Sequence, residues 1–181
     1  MLKLITKITA AIAVVSIALF GSANAKTLKI ETHFTASSPN GEVAAQFAKN
    51  VEKFSGGSLK VQMFYSSSVT GKSAEVFNSA QTGIIDCDMT GAGYQTGKNA
   101  AFQFAGDVMG GYDNPYQQYE FLNFPGAQEA VDALYNKYGM TLIGWWIPGH
   151  ESLISSRPIP DVASLKDFKF RSPPGLSLIH I

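Results

Sequence analysis

Residues 47–61, FAKNVEKFSGGSLKV, carry the reading of the fold, because within them the apolar period changes from that of a helix to that of a strand. Val43, Ala44, Phe47, Ala48, Val51 and Phe54 recur at helical spacing, and Gly56 with Gly57 supplies a stop. Leu59, Val61, Met63 and Tyr65 then alternate with Lys60, Gln62 and Phe64 at the period of two that a strand imposes. Working outward, Ser38, Pro39 and Asn40 are helix-start residues, and 28–33 reads as a strand before them. On the other side three serines lead to a second helix over 73–82, closed by Gly83. A third strand spans 84–89 and runs into a glycine-rich loop over 90–97. The order β-α-β-α-β predicts parallel pairing through right-handed crossovers, hence a doubly wound α/β layer.

Farther along, 114–124 and 128–138 read as helices separated by Pro125 and Gly126. An apolar strand follows over 140–146, with Trp145 and Trp146 facing opposite ways, one to the core and one to a surface or cleft. A further extended piece covers 152–155, and a last strand, 168–171, ends at Arg171 before Pro173 and Pro174.

The chain has 181 residues, 45% hydrophobic and 15% charged, which predicts folding rather than disorder. Lys and Arg total 14 and Asp and Glu total 14, so no basic surplus points to nucleic acid. The amino terminus is set apart. Lys3 and Lys7 precede an uncharged, mainly apolar run over 8–20 and the small residues Ala23, Asn24 and Ala25, the arrangement of a secretory signal peptide cleaved after Ala25. The run is shorter than the roughly 20 residues that span a bilayer. Removing residues 1–25 leaves 12 basic against 14 acidic side chains, a net charge of −2. Lys26 stands where lipid attachment would need a cysteine. The mature protein is expected in the periplasm, without membrane insertion.

Several short motifs invite chemistry. SSSVTGKS, 66–73, matches a phosphate loop except that Ser66 replaces its first glycine; the alternative is a polar turn with Ser73 capping the helix. Gly91, Gly93 and Gly97 are spaced one residue too long for a dinucleotide fingerprint, and suit a ligand loop at a strand end better. His33, Asp86, Asp88, His150 and Glu151 lie at no recognised metal-ligand spacing. Cys87 reads as a small buried hydrophobe, and no GxSxG element or Ser-His-Asp set supports acyl transfer. Arg171, at a strand end, offers a planar fork for a carboxylate or is a solvated surface arginine.

Taken together, HFTASSPNGEVAAQFAKNVEKFSGGSLKVQMFYSSSVTG (33–71) and WWIPGHESLISSRPIPDVASLKDFKFRSPPG (145–175) resemble the extracytoplasmic solute receptors of TRAP transporters, the DctP-like family. The resemblance runs from 26 to 175. It implies a two-lobed α/β receptor of the periplasmic binding protein type, with a doubly wound mixed sheet in each lobe. Such a receptor closes on a small organic acid and delivers it to a TRAP permease driven by an ion gradient. It implies no enzyme activity and no cofactor. The family's pocket arginine, in a K-x-R-x-P context, falls on Arg171, and loops at 33–38, 66–71, 90–94 and 146–151 supply the other walls, with His33, Ser67, Tyr94, Trp146, His150 and Glu151 as binding candidates. Residues 26–145 are then mainly the first lobe and 146–175 the crossover and start of the second. Family receptors continue beyond this point, so the second lobe is expected to be incomplete and 176–181 a non-native tail. The competing readings are a receptor for an ATP-driven importer and an exported α/β hydrolase.

Members that bind acidic sugars place a second arginine just after the glycine matching Gly149, where this chain has His150 and Glu151. A carboxylate there repels a second anionic group, which predicts a ligand with one carboxylate plus a hydroxyl, keto or cationic group. Calorimetric titration of Glu151→Arg is therefore expected to show tighter dicarboxylate binding than wild type; equal affinities would refute the point.

Overall fold

The computed structural model describes residues 25–106, 108, 111–147, 154–166, 168 and 169. Its sheet has three parallel strands in the order β2-β1-β3. The central strand, β1 (Lys26–Thr32), pairs with β2 (Leu59–Phe64) from Lys26↔Leu59 to Glu31↔Phe64. On its other edge β1 pairs with β3 (Cys87–Met89) from Ile30↔Cys87 to Thr32↔Met89. The expected β-α-β-α-β order and parallel pairing are present. The expected mixed character is not, since every strand pair among the described residues is parallel.

Helix α1 (Pro39–Phe54) forms where the period predicted it. The Ser38 hydroxyl accepts the Gly41 N–H at 3.1 Å and Pro39 opens the first turn, satisfying the helix start. Gly56 and Gly57 take the left-handed backbone, φ +61° and +82°, and return N–H groups to Lys53 and Glu52. The apolar stripe is narrower than its spacing suggested. Ala44 is fully buried, whereas Val43 and Phe54 lie at the exposed margins. Glu52 ties the helix end to the sheet by accepting the Val61 N–H at 3.0 Å and pairing with Lys60 at 3.5 Å.

Three expected elements differ. The second helix is a 3-10 turn (Ser73–Glu75) running into α2 (Val76–Gln81), and Ser73 does not cap it: its hydroxyl lies 3.3 Å from that of Ser67. The third strand begins at Cys87 rather than at 84, because the N–H groups of Ile84 and Ile85 are still donated to Ser79 at the end of α2. Residues 140–147 form no strand. Met140 donates to the Tyr135 carbonyl and Leu142 to the Asp132 carboxylate, so these donors serve a helix end instead of a sheet edge. Phe168 and Lys169 are likewise outside any strand, and 170–171 lie outside the described residues. Pro125 and Gly126, expected as a separator, instead open α4 (Pro125–Asn136), directly after α3 (Pro115–Asn123).

The core joins these pieces. Phe77 of α2, Ala92, Phe102 and Ala105 of the connecting turns, and Val131 and Leu134 of α4 are buried together, with Tyr135, Tyr138, Met140, Leu142 and Trp145 packed against them. Phe77 and Phe102 meet edge-on at 5.8 Å.

Gly41 shows how tightly the 33–38 loop is seated. A Cβ there would collide with the Thr35 carbonyl oxygen and lie 2.9 Å from that of Ala36. Neither is a flexible side chain that can step aside. Gly41→Ala is therefore expected to cost about 1–3 kcal/mol of stability through overpacking, read as a lower urea midpoint. An unchanged midpoint would show that the loop moves freely away from α1.

Candidate functional site

Open parallel sheets place their ligand crevice at the carboxyl ends of the strands. Here those ends carry a run of aromatic rings. His33 follows β1 directly and its ring lies 3.9 Å, centroid to centroid, from that of Phe34. Tyr94, in the 3-10 turn after β3, meets His33 edge-on at 5.3 Å. Trp146 arrives from beyond α4 and lies 5.4 Å from Phe34. All four rings are half-buried, leaving part of each surface accessible.

Three of the binding candidates, His33, Tyr94 and Trp146, thus belong to one contiguous cluster. The two tryptophans divide as expected, Trp145 against the core and Trp146 on the cluster. Phe34, which links the rings, carries no sequence signal beyond its place after a strand. Ser67 differs from the others. It is buried, its N–H is donated to Thr32 and its hydroxyl faces Ser73, so its side chain is turned inward. His150, Glu151 and Arg171 lie outside the described residues.

The strands themselves carry an acidic pair. Glu31 and Asp88 are register partners on β1 and β3, so their side chains share a face of the sheet. Glu31 is fully buried. Its Oε1 accepts the Val69 N–H at 2.6 Å and the Thr70 N–H at 3.4 Å, while Oε2 accepts nothing. Asp88 Oδ1 is also buried without a hydrogen-bond partner. Burial pushes the Asp88 carboxyl up from 3.8 to about 6; Thr90 pulls it down and the Glu31 charge pushes it up. Burial first, and Asp88 second, raises the Tyr135 hydroxyl as well. Cys87 is only half-buried, less enclosed than expected, and burial, Asp86 and Asp88 all raise its thiol. Among the described residues no group of three or more His, Cys, Asp and Glu is placed to hold a metal ion. A charged residue inside a strand flanked on both sides was the signal that could have singled out Glu31.

Comparison with known proteins bears on this geometry. The model of the bacterial extracellular solute-binding protein family 7, DctP, matches residues 30–179. The family comprises binding proteins and not enzymes, and is extracytoplasmic. Among curated proteins none matches the chain. Among solved structures, a TRAP periplasmic solute-binding protein from Rhodobacter sphaeroides, in an apo open form, is similar at 25% identity and a TM-score of 0.60, over 65% of this chain and 37% of that one. DctP6 of Bordetella pertussis, an extracytoplasmic solute receptor binding pyroglutamic acid, is similar at 21% identity and a TM-score of 0.55, over 65% and 38% of the two chains. A TRAP solute-binding protein from Rhodoferax ferrireducens, solved with bound malonate, gives 23% and 0.53 over the same shares. The matched part thus spans little more than a third of the length of these solved chains.

The Asp88 environment makes a prediction with a definite sign. Between about pH 4 and 6 the folded protein holds a proton that the unfolded chain has released, so stability falls as pH rises through that window and stays lowered above it. Asp88→Asn removes the ionisation, and at pH 7 it is expected to be more stable than wild type by roughly 2–3 kcal/mol, with the gain vanishing near pH 4. Urea denaturation at several pH values would show it; a gain independent of pH would refute the burial account.

Proposed function

Since the chain belongs to family 7 of the bacterial extracellular solute-binding proteins, we propose that it is the receptor of a TRAP-type transporter that binds a small organic acid through one carboxylate and hands it to an ion-gradient-driven permease. The observation that carries this reading is the continuous family match over 30–179, which takes in the aromatic cluster at the strand ends and Arg171. Relatives of the same fold bind pyroglutamic acid and malonate, both carboxylates. Membership of a binding-protein family removes the hydrolase reading, and likeness to TRAP proteins leaves an ATP-driven importer without support.

In this proposal Arg171 clamps the ligand carboxylate as a bidentate pair, the strong and geometrically selective form of ion pair. His33, Tyr94 and Trp146 line the opposite wall, with His150 and Glu151 beside them. Two α/β lobes close over the ligand, 26–145 forming most of the first and 146–175 leading into the second. A signal peptide cleaved after Ala25 delivers the protein to the periplasm.

Thermal shift of the protein against an organic-acid panel identifies the ligand, because binding to the native state raises the melting point by mass action. Arg171→Lys keeps the charge and loses the fork, and is expected to weaken the best ligand about tenfold or more in calorimetry. Undiminished affinity would remove Arg171 from the site, and a panel without any shift would overturn the carboxylate reading.

A further inference from the structure

The phosphate-loop-like run over 66–73 is the motif that an organic-acid receptor leaves unused, yet in the fold its backbone does hold an anion. Ser66 and Ser67 both take the left-handed conformation, φ +57° and +51°, and Gly71 takes φ +73°. The turn is pinned to the end of β1, since Ser66 and Ser67 donate their N–H groups to the Phe34 and Thr32 carbonyls. It is closed on itself by the Gly71 N–H on the Ser67 carbonyl at 2.7 Å. The result directs two successive amides, those of Val69 and Thr70, at one point, as backbone anion sites do. The group at that point is the protein's own carboxylate, Oε1 of the fully buried Glu31, which is 38 residues earlier than Val69 in the chain.

We propose that Glu31 is a specificity-determining residue: it fills the anion-binding turn at Val69 and Thr70 from within, so that this wall of the crevice turns away a ligand's second anionic group. The amides that would receive a carboxylate or phosphate are already taken, and the charge behind them repels another anion. Asp88, the register partner of Glu31, adds acid to the same face. The wall over 66–71 then faces the uncharged part of the ligand. The effect on ligand choice rests on the carboxylate-receptor reading above, whereas the anion-holding turn stands apart from it, and two measurements separate them.

The first measurement needs no transport ligand. In Glu31→Ala the turn is vacated, and sodium formate is expected to refill it, raising the melting temperature by several degrees over sodium chloride at equal ionic strength while leaving wild type and Glu31→Gln unmoved. A Glu31→Ala protein that responds alike to both salts, or stays unfolded in both, refutes the anion-holding turn. The second is calorimetry of Glu31→Gln, which keeps the side-chain shape and the acceptor oxygen but loses the charge. Its affinity for malonate relative to pyruvate is expected to rise about tenfold over wild type. An unchanged ratio refutes the specificity role. If wild type binds no acid of the panel while formate rescues Glu31→Ala, the receptor reading fails and the turn stands.

Discussion

Hydrogen bonding along both edges of β1 is the constraint from which the site follows, because a parallel strand flanked on each side and covered on each face sends its side chains into an interior. Ile30, Glu31 and Thr32 are all buried, although their side chains alternate between faces. For Ile30 that is ordinary core burial. For Glu31 it requires donors, since an unpaired buried carboxylate is far more costly than an unpaired hydroxyl. The turn at 66–71 provides them. The strand therefore shapes the loop beside it, and the loop's unusual backbone is explained by the anion it encloses.

The strands and the loops at their carboxyl ends carry two kinds of side chain that differ in burial. Near the surface lie the rings of His33, Phe34, Tyr94 and Trp146, which present apolar area with polar edges. Glu31 and Asp88 bring two carboxyl groups into register, and Glu31 Oε2 and Asp88 Oδ1 are buried without a hydrogen bond. Burial raises the affinity of Asp88 for a proton, and Glu31 raises it further, so the pair disfavours carrying two charges at once.

Much of the architecture is legible in the sequence alone. The change of period within 47–61 announced α1 and β2, and α1 ends at Phe54 and β2 begins at Leu59 with the two glycines between, because turn chemistry and periodicity are local properties. The family, too, was legible, since its signatures lie in contiguous runs that match over 30–179. Errors gathered where a neighbouring helix or turn takes the polar groups that the pattern of side chains assigned to a strand or a cap. The apolar run over 140–147 has the composition of a strand, but the N–H groups of Met140 and Leu142 reach Tyr135 and Asp132 of α4. Ser73 has a capping residue's identity, but Ser67 is its nearer partner.

Local sequence thus settled the helices that start at capped serine or asparagine, the two long parallel strands and the kind of protein, all of which depend on residues a few positions apart. Tertiary structure alone decided that Glu31 meets Val69 and Thr70, that Asp88 sits across from Glu31, and that His33, Tyr94 and Trp146 share one cluster. These contacts join residues tens of positions apart, and they exist because parallel pairing gathers the carboxyl ends of successive strands at one edge of the sheet.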